Sequence, residues 1–379
     1  MKTPFNKPFL TGKETHYIYQ AVNSGKISGS GDFTKKCHHF FEQKYGFKKC
    51  LLTTSCTDAL EMAALLINIQ SGDEVIVPSY TFVSTANAFV LRGAKIVFAD
   101  SYSDNPNIDP SQIEALITPK TKAIVVVHYA GIACDMDLIM DLANKYKLFV
   151  IEDAAQAIDS YYKGKPLGGI GHFGTFSFHE TKNIISGEGG MLVINDERFI
   201  PRSEIIWEKG TNRSAFFRGE IDKYEWVDIG SSFLPSEIVA AFLWAQLENL
   251  ASIQSKRKQI WETYYEGIKE LETNNLVDLP LIPDYAVNNA HMFYIVCKDL
   301  KQRIQLINCL KQNEIHAVFH YLSLHKSKFY EKQHDGRTLS NCDKFADRLV
   351  RLPFYHELPH NNQLFITDTI NSFFNHEDV

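Results

Sequence analysis

The chain has 379 residues, room for two or three domains or for one large domain with an appendage. Apolar residues make up 45% and charged residues 22%, enough to bury a large core, and 39 Lys plus Arg against 45 Asp plus Glu leaves a net charge of −6. That mildly acidic balance, without a Lys/Arg-rich run, argues against nucleic acid or an anionic membrane as a partner, and no apolar run reaches the roughly 18 residues of a spanning helix.

The N-terminal MKTPFNKPFL lacks the apolar stretch of a secretory signal. Residues 57–68 (TDALEMAALLIN) have a helical pattern and lead through Ser71-Gly72-Asp73 into a strand at 74–77. Further apolar strands are expected at 95–99, 123–128, 148–151, 175–178 and 191–194, with a helix at 136–146 among them. Continuous Val/Ile-rich runs separated by helices predict a mostly parallel sheet buried on both faces, an α/β architecture. A helical pattern starts at 238–250 and continues through 252–259 into 261–271. After a loop at 280–289 come an expected strand at 291–296, a helix near 304–311, a strand near 317–321 and a C-terminal helix. This predicts a large domain over residues 1–250 and a smaller α+β domain over 251–379.

The seven cysteines are odd in number and scattered, with no CxxC pair. Structural zinc wants close-spaced pairs and a secreted disulfide framework is denser, so most of these read as small buried residues of a reducing compartment, the cytoplasm. Gly169-Ile-Gly171-His-Phe-Gly174 fits GxGxxG literally, but a dinucleotide fingerprint follows a strand and opens a helix, whereas these glycines precede a β-rich run. His356-Glu-Leu-Pro-His360 fits HExxH, yet proline inside a helix costs roughly 3 kcal/mol, so a loop is expected there and no metal site. His316-Ala-Val-Phe-His320 lacks the glutamate, and no GxxxxGK[ST] phosphate loop occurs.

An apolar strand ends in Glu152-Asp153, and in an open α/β sheet ligands collect at the carboxyl ends of strands. Phe176-Ser177-Phe178-His179-Glu180-Thr181-Lys182 is a second strand with a lysine beyond its end. A carboxylate and an amine thus face one crevice, though a plain salt bridge would read the same way. Ser55-Cys56-Thr57-Asp58 opens an apolar helix with capping spacing, and free N–H groups and hydroxyls at such a start accept an anion. Cys56 could instead be a nucleophile activated by the helix end, but nothing nominates a base for it. Pro78-Ser-Tyr80-Thr-Phe82 follows another strand end and offers an aromatic plate. Amine, carboxylate, phosphate cradle and plate are the fittings for pyridoxal phosphate (PLP).

SCTDAL, PSYTFVSTANA, HYAG, EDAAQ, SFHETKN and GEGG, in that order across nearly the whole chain, resemble the sugar aminotransferases of the DegT/DnrJ/EryC1/StrS family. The resemblance implies a fold-type I PLP enzyme, like aspartate aminotransferase, and a homodimer whose active sites are shared between subunits. It implies that Lys182 is the Schiff-base lysine, Asp153 the partner of the pyridine nitrogen, Gln156 a ring contact and Ser177 a neighbour of the phosphate. Cys56 and Thr57, beside Ser55, match the backbone phosphate cradle, and Phe82 the stacking position. Many relatives send an Asn from the neighbouring subunit to the phosphate in a GxN-like segment; here Gly230-Ser231-Ser232 offers Ser232.

Some relatives carry histidine in place of the lysine and dehydrate, so Lys182 favours transamination, with an amino acid, L-glutamate, as donor and a nucleotide-linked keto-sugar as acceptor. Residues 208–226 resemble the subgroup that aminates TDP-4-keto-6-deoxyglucose. Lys209, Arg213, Arg218 and Lys223 in that stretch would bring positive charge to a nucleotide diphosphate, unless they form only a solvated loop. His320 and His325, in HYLSLH, resemble a segment bordering the substrate.

Overall fold

The computed structural model describes residues 2–375; residue 1 and residues 376–379, the outer limits of the two expected domains, lie outside the described residues. Helices α1 (Glu14–Asn23) and α2 (Asp32–Tyr45) open the chain. Strands and helices then alternate: β1 (Lys49–Thr53), α3 (Cys56–Leu66), β2 (Glu74–Pro78), α4 (Ser84–Val90), β3 (Lys95–Ala99), β4 (Thr121–Val127), α5 (Met136–Tyr146) and β5 (Phe149–Asp153). A short pair, β6 (Tyr161–Tyr162) and β7 (Lys165–Pro166), precedes β8 (Phe173–Ser177) and β9 (Gly190–Ile194). There follow α6 (Ile200–Trp207), α7 (Arg213–Phe217), α8 (Glu237–Leu247), α9 (Leu250–Thr273), β10 (Ala286–Val287) and β11 (Tyr294–Val296). The chain ends in α10 (Leu300–Gln312), α11 (Ser340–Arg348), β12 (Leu349–Arg351) and α12 (His360–Asn375).

Seven strands form one sheet in the order β1-β9-β8-β5-β4-β2-β3. Neighbours from β3 to β8 are parallel, and only β9 is reversed, antiparallel to β8 and to β1. Every residue of β2 and β9 is buried, as Val/Ile-rich strands require when helices cover both faces. The fold is therefore α/β with a large, mostly parallel sheet, as the sequence predicts.

A second apolar core forms between α9, α10, α12 and β11–β12, with Ile260, Tyr264, Phe293, Leu306 and Ile366 at its centre. Each such side chain, fully buried, stabilises the fold by roughly 1.5–3 kcal/mol. Buried carboxylates tie distant segments to the sheet layer. Glu237, at the start of α8, accepts the N–H groups of Gly31, Phe33 and Thr34 at 2.9, 2.7 and 3.1 Å, meeting the free donors at the start of α2.

Some expectations change. The single helical pattern from 238 to 271 is two helices, α8 and α9, broken at Glu248 and Asn249. The Asn249 amide donates to the Ala245 carbonyl at 2.9 Å, satisfying the end of one helix just before the next begins. The strand expected near 317–321 is a single bridge, Val318 to Arg351. Strand β1, five residues at a sheet edge, is not expected from the sequence because only Cys50, Leu51 and Leu52 in it are apolar, too short a run to mark a strand. Residues 356 and 357 form a turn, and 358 and 359 carry no regular structure ahead of α12, which begins at His360. The glycine turn that mimics GxGxxG wraps an internal anion: Gly168, Ile170 and Gly171 donate to the Glu152 carboxylate at 2.8, 2.7 and 2.6 Å.

Candidate active site

The carboxyl ends of the parallel strands open into a cavity of about 480 Å³, the size of a small-ligand pocket. Asp153 ends β5, Ser177 ends the adjacent β8, and Lys182 sits in the turn that follows, its N–H donating to the His179 carbonyl at 2.9 Å. The structure brings Ser55, Cys56, Thr57, Phe82, Asp153, Gln156, Ser177, Lys182 and His320 to this one cavity.

Asp153 is buried and doubly held: the Thr85 hydroxyl donates to Oδ2 at 2.7 Å and the Ala155 N–H to Oδ1 at 3.2 Å. Burial raises its pKa, opposed by these two bonds and by the charge of Lys182. Burial likewise lowers the pKa of the Lys182 amine; Arg351 pushes it the same way, while Cys56 and Asp153 oppose. The Cys56 thiol goes up, through burial first and the nearby Asp153 second, so it stays protonated and is no nucleophile.

Helix α3 starts at the cavity wall. Ser55 is its cap, with Oγ accepting the Asp58 N–H at 3.1 Å, and the Thr57 hydroxyl donates to Ser84 Oγ at 2.8 Å. The N–H groups of Cys56 and Thr57, in the first turn, have no acceptor within the helix and form its positive end. Gly190 of β9 presses against this start: a Cβ there would lie 2.3 Å from the Ser55 carbonyl carbon and 2.4 Å from the Cys56 nitrogen. The bare glycine lets strand and helix end meet, and a phosphate fits the resulting cradle. Buried amine, buried carboxylate and anion-binding helix start together suit PLP.

Gln156 is oriented by two bonds, its Oε1 accepting the Ala130 N–H at 2.6 Å and its Nε2 donating to the Tyr321 hydroxyl at 3.0 Å. His320 stacks on Tyr321, ring centres 3.5 Å apart, and its Nδ1 lies 2.7 Å from the Tyr129 hydroxyl. Phe82 stands at the mouth, 56% exposed.

Six expected residues, His325, Ser232, Lys209, Arg213, Arg218 and the exposed Lys223, do not reach this cavity. His325 is a correction: it is buried in the fold, its Nδ1 2.8 Å from Ser79 Oγ and its Nε2 3.7 Å from the Asp343 carboxylate. Ser232 pairs with Glu208 in an isolated bridge, Lys209 is exposed, and the Arg213 guanidinium lies 3.9 Å from the Glu208 carboxylate. None of these three lines the cavity of its own chain. Arg218 is taken up by Glu204 and Glu220, at 2.8 and 2.7 Å.

Sequence reasoning missed Thr85, His291, Tyr321 and Arg351, all at or beside the cavity. The signal for His291 and Arg351 was a lone polar residue in an apolar run, AHMFYIV and LVRLPF. All seven cysteines are free. Among the described residues no group of three His, Cys, Asp or Glu side chains is placed to hold a metal ion, and no helix is long and apolar enough to cross a membrane.

The family model described as the DegT/DnrJ/EryC1/StrS aminotransferase family matches residues 8–371. The chain is 32% identical over 375 residues to GDP-perosamine synthase of Escherichia coli O157:H7, covering 98% of each. It is 33% identical over 364 residues to the spore coat polysaccharide biosynthesis protein SpsC of Bacillus subtilis, covering 93% of this chain and 92% of that one. Spr1654 from Streptococcus pneumoniae, solved in its PMP form, superposes with a TM-score of 0.90 at 25% identity, over 98% of this chain and 99% of that one.

Proposed function

Since the chain belongs to the DegT/DnrJ/EryC1/StrS aminotransferase family, we propose that it moves an amino group from L-glutamate to C4 of TDP-4-keto-6-deoxyglucose. The product is then TDP-4-amino-4,6-dideoxygalactose, a sugar for surface polysaccharide. Amino transfer to a sugar, with PLP as cofactor, is the family's chemistry. The observation that carries the reading is the buried Lys182 amine sharing a cavity with the buried Asp153 carboxylate and the open start of α3. The choice of a TDP-linked substrate rests on the resemblance of residues 208–226. A second reading, a GDP-linked keto-sugar, is favoured by the 32% identity to a protein named GDP-perosamine synthase.

PLP, when bound, accepts the electron density released as a proton leaves the donor's α-carbon. The residues supply the rest. Ser55, Ser177 and the N–H groups of Cys56 and Thr57 bind its phosphate. Phe82 and Gln156 hold its ring in place, and Asp153, oriented by Thr85, keeps a proton on the ring nitrogen. Lys182 would anchor the cofactor and then serve as the base that moves the α-carbon proton, its burial favouring the neutral amine. Running the same transfers in reverse aminates the keto-sugar.

We further propose a homodimer. Residues 208–232 expose Trp226 at 82%, Phe217 at 67% and Tyr224 at 50%, an apolar concentration that a second copy would cover. Covering it would carry Ser232, Lys209 and Arg213 toward the partner's cavity, where Ser232 would meet the phosphate and the two cations the nucleotide. The second apolar core, which begins at Ile260, supports residues 251–379 as the small domain. Seven free cysteines fit a reducing compartment, the cytoplasm, as the location.

The test incubates the purified protein with L-glutamate and either the TDP-linked or the GDP-linked 4-keto-6-deoxy sugar, then locates the new amine by NMR. Amination at C4 of the TDP sugar is expected. Product from the GDP sugar alone, or an amine at C3, would overturn the substrate assignment.

A further inference from the structure

His291 reaches the cavity from the segment just ahead of β11, and its place is fixed from three directions. The Arg257 guanidinium, on α9, donates to the carbonyls of Ala290 and His291 at 3.1 and 2.6 Å. Ala290 is held at φ +51°, in the left-handed region that a residue with a Cβ adopts only when its surroundings impose it. The ring itself meets Asn183, the residue after Lys182, with Nδ1 2.8 Å from the Asn183 Oδ1.

The last contact also fixes where the ring carries its proton. The Asn183 amide nitrogen donates to Gln254 Oε1 and to the Asn289 carbonyl, both at 2.9 Å, so the end turned to His291 is the amide oxygen, which can only accept. The network therefore puts the proton on Nδ1 and leaves Nε2 with a bare lone pair. Burial pushes the ring well below the ordinary histidine range, and the charges of Lys182, Arg257 and Arg351, in that order, push it the same way, so a second proton is disfavoured. Nε2 has no hydrogen-bond partner among the described residues and is not one of their sealed, unpaired polar atoms; on a ring that lines the cavity, it opens to the cavity. His320 lines the same wall without this constraint: its Nδ1 faces the Tyr129 hydroxyl, which can donate or accept and imposes no tautomer.

We infer that His291 positions the base: its bare Nε2 accepts an N–H of the Lys182 amine whenever that amine is not bonded to the cofactor. The inference rests on the transaminase reading and adds to it the group that steers the proton carrier. A lysine amine rides on a flexible four-carbon stem, and ordering it requires a partner that does not take the travelling proton. The two oxygens of Asp153 already accept from Thr85 and Ala155, and the Cys56 thiol is a weak acceptor. A neutral imidazole accepts one N–H of the amine and leaves the amine's own lone pair free for the α-carbon proton. Once that proton has arrived, the resulting ammonium makes a stronger, charge-assisted bond to Nε2. The ring resists a charge of its own, so the proton stays on Lys182 and is there to be returned.

Two variants separate the two ring nitrogens. His291→Asn keeps a donor toward Asn183 but has nothing in the place of Nε2, whereas His291→Gln brings an amide oxygen to about the place of Nε2. In the full chain without cofactor, the Lys182 pKa is read by NMR of 15N-labelled lysine, with Lys182→Ala identifying the signal. It should fall by about one unit in His291→Asn, the size of a lost hydrogen bond to a charged group, and return most of the way in His291→Gln. In the PLP-loaded enzyme, the rate constant for the first half-reaction with L-glutamate should drop roughly 10- to 100-fold in His291→Asn, with half-saturation and resting absorbance unchanged, and recover in His291→Gln. In the wild type, 15N NMR of the histidines should show Nε2 of His291 unprotonated between about pH 5 and 8, a reading that stands even if the Asn variant does not fold. A proton on Nε2 there, or an unchanged Lys182 pKa in His291→Asn, would overturn the inference. So would equal losses in the two variants, which would leave His291 a packing element. A wild type that takes up PLP but reacts with no amino acid would sink the transaminase reading, and the NMR titration of the cofactor-free chain would still decide the contact.

Discussion

Burial favours the uncharged form of both Asp153 and Lys182, raising the pKa of the carboxyl and lowering that of the amine. A neutral lysine amine is the form that can attack a carbonyl or take a proton, so the cavity's dryness is part of the reaction. Lys182→Ala is expected to keep the fold, lose the visible absorbance of enzyme-bound PLP and lower transamination by at least 10²- to 10⁴-fold, the usual worth of a positioned base. An unchanged yellow colour in that variant would refute the role. Asp153→Asn should still bind the cofactor, because the cradle at α3 is intact, while proton transfer slows by orders of magnitude for want of a protonated ring. Near-normal single-turnover rates would hand that duty to another group. Both residues were legible in the sequence because each ends or follows an apolar strand, where a charged side chain has few structural uses. Arg351 left only a weak signal, a lone arginine in the apolar run LVRLPF, and its place at the cavity shows only in the fold.

Elements were legible where pattern and length agreed. Helix α5 was expected over its whole observed span, its Asp135 cap accepting the Leu138 N–H at 3.4 Å, and β3 likewise. Boundaries failed where a side chain overrides propensity, as Asn249 does between α8 and α9. The junction of α2 and β1 holds a further such contact, with a consequence for pH. His38 Nε2 accepts the Leu52 N–H at 2.8 Å, and burial pushes the ring's pKa from 6.5 down to about 3. Between those two values the unfolded chain binds a proton that the native ring refuses, so stability rises with pH through this window and is lost as acid is added. From pH 7 to pH 5 the loss from this ring is roughly 2 kcal/mol. His38→Gln, whose amide oxygen accepts the same N–H without titrating, should lose about that much less over the same interval in urea unfolding. Equal losses in the two proteins would show that His38 is not buried neutral.

At the scale of the whole molecule, the sheet was legible as a class but its order was not, because strand order depends on pairings between segments far apart in sequence. The same holds for the cavity, whose walls come from residues as distant as Ser55 and Arg351. Ser232, Lys209 and Arg213 lie outside the cavity of their own chain, a placement that the proposed homodimer would explain. Inactive Lys182→Ala and inactive Arg213→Glu chains, mixed and allowed to exchange subunits, should regain up to about a quarter of wild-type activity, since in a symmetric dimer the mixed species holds one intact site. No recovery, with exchange confirmed by native mass spectrometry, would place Arg213 outside the partner's cavity.

Glu152 and Asp153 are adjacent acids with opposite fates. Successive side chains leave a strand on opposite faces, so one carboxylate is sealed in a socket of backbone amides and His128 while the other reaches the reaction chamber. Exchanging the two acids, Glu152→Asp with Asp153→Glu, would give the socket an acid one methylene too short and the chamber one a methylene too long. The phase of this five-residue strand is thus locked from both faces at once.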